Sequence, residues 1–178
     1  LGRRQGQDPD AIPAHPTFFT KAPGAIIGPY DDIRFDPDIS QQWDFEVEIA
    51  LVIGKAGRSI SESEAHRHIF GYCVANDISQ RDVQRIHGGQ WMKGKSADDS
   101  TPMGPWITTP DEIPDVADLR IQCDLNGVRM QDGSTGAIVF SFAVLIAELS
   151  RGMTLHPGDV ILTGTPSGVG NARDPQVF

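Results

Sequence analysis

Acidic and apolar residues alternate along Asp44-Phe45-Glu46-Val47-Glu48-Ile49, and the run stays apolar through Leu51, Val52 and Ile53 to Gly54. A period of two predicts a strand over about 45–53 with one face buried. Phe45, Val47, Ile49, Leu51 and Ile53 then share that face, and Asp44, Glu46 and Glu48 share the other. A second apolar run, Ile69 to Asn76, predicts a strand that ends on Asp77. Leu119 to Leu125 alternates again, and Asn126-Gly127 is a strong two-residue hairpin signal with Val128 and Met130 on the return strand. The turn His156-Pro157-Gly158-Asp159 leads into Val160-Ile161-Leu162, a short buried strand.

Helical spacing is rarer. Phe142 to Leu149 is apolar at helical spacing, with Gly152 as its stop. Ser61-Glu62-Ser63-Glu64 has the spacing of a capping box and predicts a short helix to about His68. Residues 1–40 are rich in Pro, Gly and Asp, with turns at Gly28-Pro29 and Asp36-Pro37 and one strand-like run, Pro16 to Lys21. Residues 87–105 read as a loop. Strands outnumber helices, so a mixed α/β, mostly β architecture is expected rather than a doubly wound sheet.

Composition narrows the setting. A chain of 178 residues predicts one domain. The net charge of −9 argues against nucleic acid or an anionic membrane surface as partner. No apolar run approaches the roughly 20 residues that span a bilayer. Leu1 to Gly6 has charges but no apolar core behind them, which is not the pattern of a signal peptide. Cys73 and Cys123 lie in strand-like segments and are expected as buried free thiols. Together these features predict a cytoplasmic protein.

The chemistry starts with the acids. Carboxylates two apart on a strand lie about 6–7 Å apart at their Cα atoms. Without a counter-ion they repel, and one would take up a proton. A hard divalent cation removes the conflict, since carboxylate oxygens suit Mg2+, Mn2+ or Ca2+. A strand with a solvated acidic face explains the same segment, and from these residues alone both readings stand. Asp77 beside the pair would complete three carboxylates on one ion, although an Asp in such a place is more often a turn or capping residue. Arg81 and Lys95 could neutralise a bound carboxylate. Gly94-Lys95-Ser96 lacks the upstream glycine spacing of a phosphate loop.

The ordered set Glu46-Val47-Glu48, Gly71 to Asp82, Lys95-Ser96, Pro102 to Trp106, Asn126-Gly127 and Pro157 to Gly170 resembles the fumarylacetoacetate hydrolase family. The resemblance runs in order from about Pro16 to Gly170. It implies a β-roll or β-sandwich with a few short helices, usually dimeric. It also implies Mg2+, Mn2+ or Ca2+ held by Glu46, Glu48 and Asp77. Arg81, Gln84 and Thr165 then fall on substrate-binding positions, and Lys95 on a catalytic one. The implied substrates are small 2-oxo or β-diketo acids.

The expected function is cleavage of a C–C bond in such an acid, by acylpyruvate hydrolysis or oxaloacetate-type decarboxylation. Isomerisation of 2-hydroxyhepta-2,4-diene-1,7-dioate in aromatic catabolism is the near alternative. Gln90 to Lys95 also resembles ureidoglycolate lyases, and a metal-binding protein without catalysis is the alternative from another class. The family's hydrolytic members carry a His–Glu lid segment upstream of a PxxPxxFxK stretch that Pro13 to Lys21 matches. That lid would fall before Leu1, so residues 1–178 are expected to form a single catalytic domain incomplete at both ends. Among the histidines, His87 on a loop is the best substitute base, although such a histidine is more often a solvated loop residue. Trp91 and Trp106 flank the Lys95 loop and are expected to pack inward. Gly164 and Gly168 are expected to serve a positive-φ turn or a close backbone approach near Thr165. A homodimer through apolar segments such as Val160–Leu162 and Ile138–Phe142 is expected.

Overall fold

The structure is a computed structural model that describes residues 12–178, so Leu1 to Gly6 lies outside the described residues. In chain order the strands are β1 (Ile26–Ile27), β2 (Trp43–Asp44), β3 (Val47–Ile53), β4 (Gly57–Arg58), β5 (Ile69–Asn76), β6 (Ser79–Gln80), β7 (Thr101–Thr108), β8 (Arg120–Leu125), β9 (Val128–Ser134), β10 (Thr154–Leu155) and β11 (Val160–Leu162). The α-helices are α1 (Arg81–Ile86) and α2 (Phe142–Ser150), and short 3-10 segments join the rest. The architecture is therefore mixed α/β and mostly β. Among the described residues, no helix is long and apolar enough to cross a membrane.

The main sheet has the order β1-β7-β5-β3-β11. β3 runs antiparallel to both neighbours, with Glu48 opposite Ala75 on β5 and Leu162 of β11 opposite Ala50. One face of β3 carries Val47, Ile49, Leu51 and Ile53 into the main core, with Tyr72, Ile121, Ile146, Leu155 and Ile161. Each such side chain, fully buried, contributes about 1.5–3 kcal/mol of hydrophobic stabilisation. α2 closes this core. Its apolar positions Phe142, Leu145 and Ile146 recur at helical spacing and are buried, and Ser141 Oγ accepts from Val144 N at its start.

The other face of β3 is buried too. Ala50 packs there with Cys73 and Ala75, and Glu46 and Glu48 are only 9% and 3% exposed. The solvated acidic face is thereby overturned. Phe45 also leaves the expected row. β3 begins at Val47, and Phe45 packs in a separate cluster with Ile78 and Met130.

Further expectations are corrected. Ser61 precedes a 3-10 helix, Glu62–His68, but its side chain caps nothing and contacts Ser63 Oγ instead. Pro16 to Lys21 forms no strand. The loop over 87–105 ends early, because β7 starts at Thr101 and pairs with β5 through a register shift that a pattern of period two does not reveal. Trp106 is 71% exposed rather than packed inward. Cys73 is buried and Cys123 half-buried, both free. The hairpin β8–β9 is as expected, with Asn126 and Gly127 both at positive φ, 51° and 80°, as its two-residue turn demands.

Candidate metal centre

The register of β3 on β5 builds the site. Val47 lies opposite Asn76, so the next residue, Asp77, emerges beside Glu46, and Asp77 N donates to the Glu46 carbonyl at 2.8 Å. Asn76 Oδ1 accepts from Glu46 N at 2.9 Å. Carboxylate oxygens of Glu46, Glu48 and Asp77 lie within 4.8 Å of one another, and all three residues are buried. The structure thus brings together the three acids singled out in the sequence.

Cations surround two of these acids. Lys95 Nζ donates to Glu46 Oε2 at 2.7 Å and to Asp77 Oδ2 at 2.8 Å. Lys21 Nζ donates to Asp77 Oδ1 at 2.6 Å and to the Lys95 carbonyl. Arg81 donates through a terminal nitrogen to Glu46 Oε1 at 2.6 Å and through Nε to Asp44 Oδ2 at 2.8 Å. Gln84 Oε1 accepts from the remaining nitrogen of Arg81 at 3.3 Å. The two-residue ladder of β2 and β6 sets Asp44 opposite Ser79, two residues before Arg81, which explains that pairing.

Electrostatics separates Glu48 from the others. Burial works to raise the Glu46 carboxyl, but Lys95 and Arg81 outweigh it and hold it below the usual range. Burial opposes the charge on Lys95 and Arg81, and their carboxylate partners outweigh it and raise both. Lys21 is lowered by burial despite Asp77 beside it. Glu48 has no ion-pair partner among the described residues and accepts only from Gly164 N, at 2.6 Å. Burial, then the charges of Asp77 and Glu46, push its carboxyl up to about 8.

Four buried carboxylates, Asp44, Glu46, Glu48 and Asp77, therefore meet three cations, Lys21, Arg81 and Lys95. With Glu48 holding the proton that its raised carboxyl favours, the charges balance; releasing that proton leaves one negative charge where three acids converge. A donor set of hard oxygens that gains a negative charge when Glu48 ionises fits Mg2+, Mn2+ or Ca2+.

The remaining candidates sort clearly. Gln84 borders the site through Arg81. Thr165 follows Gly164, and its Oγ1 donates to the Val47 carbonyl at 2.9 Å. Gly164 and Gly168 both adopt positive φ, and a Cβ on Gly168 would also run into the Met130 carbonyl. His87 is exposed on its loop. His68 is buried against the Lys55 carbonyl, and His15 lies beside Glu148. None of these three histidines hydrogen-bonds to the three acids.

Sequence reasoning passed over Lys21, Asp44 and Gln131. Asp44 shares the face of the two glutamates in the alternating run but lies outside the family motif, and so is not counted with the ligands. Lys21 is the lysine of the PxxPxxFxK stretch, a signal that the sequence holds but does not tie to the acids, whereas Gln131 is one polar residue in a hairpin and gives none.

Comparison with known proteins agrees with the geometry. The model of the fumarylacetoacetate (FAA) hydrolase C-terminal family matches residues 1–178. The chain is 45% identical over 167 residues to 2,4-didehydro-3-deoxy-L-rhamnonate hydrolase of Sphingomonas sp. (strain SKA58), covering 94% of this chain and 58% of that protein. It is 46% identical over 168 residues to human mitochondrial oxaloacetate tautomerase FAHD2A, covering 94% of this chain and 53% of that one. Among solved structures, a fumarylacetoacetate hydrolase from Exiguobacterium antarcticum superposes with TM-score 0.87 at 45% identity, covering 90% of this chain and 57% of that chain. A 5-carboxymethyl-2-hydroxymuconate delta-isomerase from Mycobacterium smegmatis gives TM-score 0.84 at 40% identity, covering 90% and 62%. The chain thus spans somewhat over half the length of these relatives. It belongs to the fumarylacetoacetate hydrolase family.

Proposed function

From this membership, we propose that the chain carries the metal-dependent site of an enzyme acting on a small 2-oxo or β-diketo acid, which it cleaves at a C–C bond by hydrolysis or decarboxylation. The observation that carries the reading is the convergence of the buried carboxylates of Glu46, Glu48 and Asp77. These three would hold Mg2+, with Mn2+ or Ca2+ as substitutes. When bound, a divalent cation supplies Lewis-acid stabilisation of the negative charge that develops beside a carbonyl.

The chain's own residues complete the site. A dication that displaces the Glu48 proton from the balanced cluster leaves it one charge positive, which favours an anionic substrate. Lys95, already against two of the ligands, places a second positive group where enolate charge grows. Arg81 holds Glu46 in place and keeps Gln84 beside the site for substrate contact. The hydroxyl hydrogen of Thr165 is spent on the Val47 carbonyl, so toward a substrate its oxygen accepts. That polarity suits an enol hydroxyl.

A second reading is enol–keto tautomerisation of oxaloacetate, favoured by the 46% identity to the human tautomerase. The two readings share the enolate. They part in whether a C–C bond breaks or only a proton moves between carbon and oxygen. The test is turnover on oxaloacetate and acylpyruvates with and without Mg2+, following pyruvate release and enol absorbance separately. Metal-dependent pyruvate release supports cleavage, and metal-dependent loss of enol absorbance alone supports tautomerisation. Turnover only of a 2-hydroxy-dienedioate or of ureidoglycolate would move the protein to the isomerase or lyase reading. Metal binding with no turnover on any of these would leave a non-catalytic protein. We also infer a homodimer, supported by the exposed apolar residues Val139, Val160 and Trp106.

A further inference from the structure

The edge of β3 outruns its partner. β11 pairs with β3 only as far as Leu162 opposite Ala50. Beyond that point the backbone of Val47 is met by side chains. Val47 N donates to Gln131 Oε1 at 3.0 Å, Gln131 Nε2 donates to Thr165 Oγ1 at 2.7 Å, and Thr165 Oγ1 donates to the Val47 carbonyl at 2.9 Å. The three bonds close a ring on one residue.

Its polarity is fixed by chemistry. A backbone N–H only donates, so the Gln131 atom facing it is the oxygen. The other end is then the nitrogen, which also donates to the Pro166 carbonyl at 2.9 Å. A carbonyl only accepts, so the Thr165 hydroxyl must point its hydrogen at Val47. Gln131 is 1% exposed. Water cannot replace its bonds, and losing one leaves a buried polar group unmade.

Val47 stands between Glu46 and Glu48. A ring that clamps both of its backbone polar groups fixes the direction in which these two side chains leave the strand. The same turn presents Gly164 N to Glu48 Oε2 at 2.6 Å. We propose that Gln131 is a positioning residue of the carboxylate cluster, acting through the ring it closes with Thr165 and the backbone of Val47. The proposal rests on the metal-dependent reading given above.

The experiment is Mn2+ titration of the full chain, followed by electron paramagnetic resonance, in the parent, Gln131→Met, Thr165→Val, Thr165→Ser and the double variant Gln131→Met/Thr165→Val. Partners that orient metal ligands are worth roughly 10–100-fold in affinity, so Gln131→Met should weaken Mn2+ binding about tenfold. Thr165→Val, which opens the ring from the other side, should weaken it several-fold. Thr165→Ser keeps the hydroxyl and should bind like the parent. The double variant should be no weaker than Gln131→Met, because one ring can be broken only once. Parent-like affinity in both single variants overturns the proposal, as does a double loss equal to the product of the two. If Gln131→Met does not fold, the contrast between Thr165→Val and Thr165→Ser decides, and equal affinities there overturn it. A parent that binds no Mn2+ sinks the metal-dependent reading itself, and the positioning role with it.

Discussion

Lys95 and Asp77 lie 18 residues apart in sequence and 2.8 Å apart at Nζ and Oδ2, and both are almost wholly buried, at 3% and 1% exposure. The same ammonium reaches Glu46 at 2.7 Å. The lysine expected to serve the substrate is thus also a structural partner of two metal-site acids. In the metal-free chain Lys95→Met removes one of two cations from each of two buried carboxylates, leaving Glu46 to Arg81 and Asp77 to Lys21. Breaking such buried pairs costs roughly 3–5 kcal/mol. Denaturant unfolding in EDTA should register that loss, and excess Mg2+ should recover part of it. Turnover should fall in the metal-loaded protein. Exposed Lys93 is the control, and Lys93→Met should leave both unchanged.

Removing any of the three convergent acids should cost metal. Glu46→Gln, Glu48→Gln and Asp77→Asn are each expected to weaken Mg2+ or Mn2+ binding at least tenfold by calorimetry. EDTA should abolish turnover in the parent, and added Mg2+ should restore it. Metal affinity unchanged in all three variants would place the ion elsewhere.

The pH dependence follows from Glu48. Its folded carboxyl is raised to about 8 by burial and by its acidic neighbours, against an ordinary value of 4.5. The metal-free folded state therefore keeps a proton that the unfolded chain releases. Its contribution to stability is fully present below about pH 4.5 and is lost as pH rises to about 8. Urea midpoints in EDTA should fall across that window, and Glu48→Gln should flatten the fall. A parent midpoint that rises from pH 5 to 8 while Glu48→Gln is flat would contradict the assignment.

Asp44 is expected to matter without touching a metal. It accepts from Arg81 Nε at 2.8 Å, from Gly170 N at 2.7 Å and from Asn171 N at 3.0 Å. Asp44→Asn leaves Arg81 partly uncompensated in a buried setting, and unfolding free energy should drop by roughly 3–5 kcal/mol. Asp44→Asn with Arg81→Met should lose less than the two single losses combined, because the partners share one interaction.

Sedimentation tests the dimer. A homodimer at micromolar concentration, with an interface above about 1,000 Å2, is expected. Trp106→Lys on the exposed end of β7 should weaken it. A monomeric parent would remove the inference.

The sequence by itself determined the strand of the two glutamates, the strand ending on Asp77, the hairpin at Asn126-Gly127 and helix α2. Each follows from a local rule: period two, a run that ends in a polar residue, a turn that demands positive φ, and helical spacing of apolar side chains. Local order together with the family resemblance also placed Glu46, Glu48, Asp77, Arg81, Gln84, Lys95 and Thr165 among the site candidates. What it left open was the state of the acidic face, because a row of carboxylates looks the same in water and under a covering layer. Only the tertiary structure decided that, by bringing Lys21 from position 21 and Lys95 from position 95 onto Asp77. The closed ring through Gln131 is likewise invisible in one dimension. Its partners lie 84 and 34 residues away, and only the early end of β11 left Val47 for a side chain to satisfy.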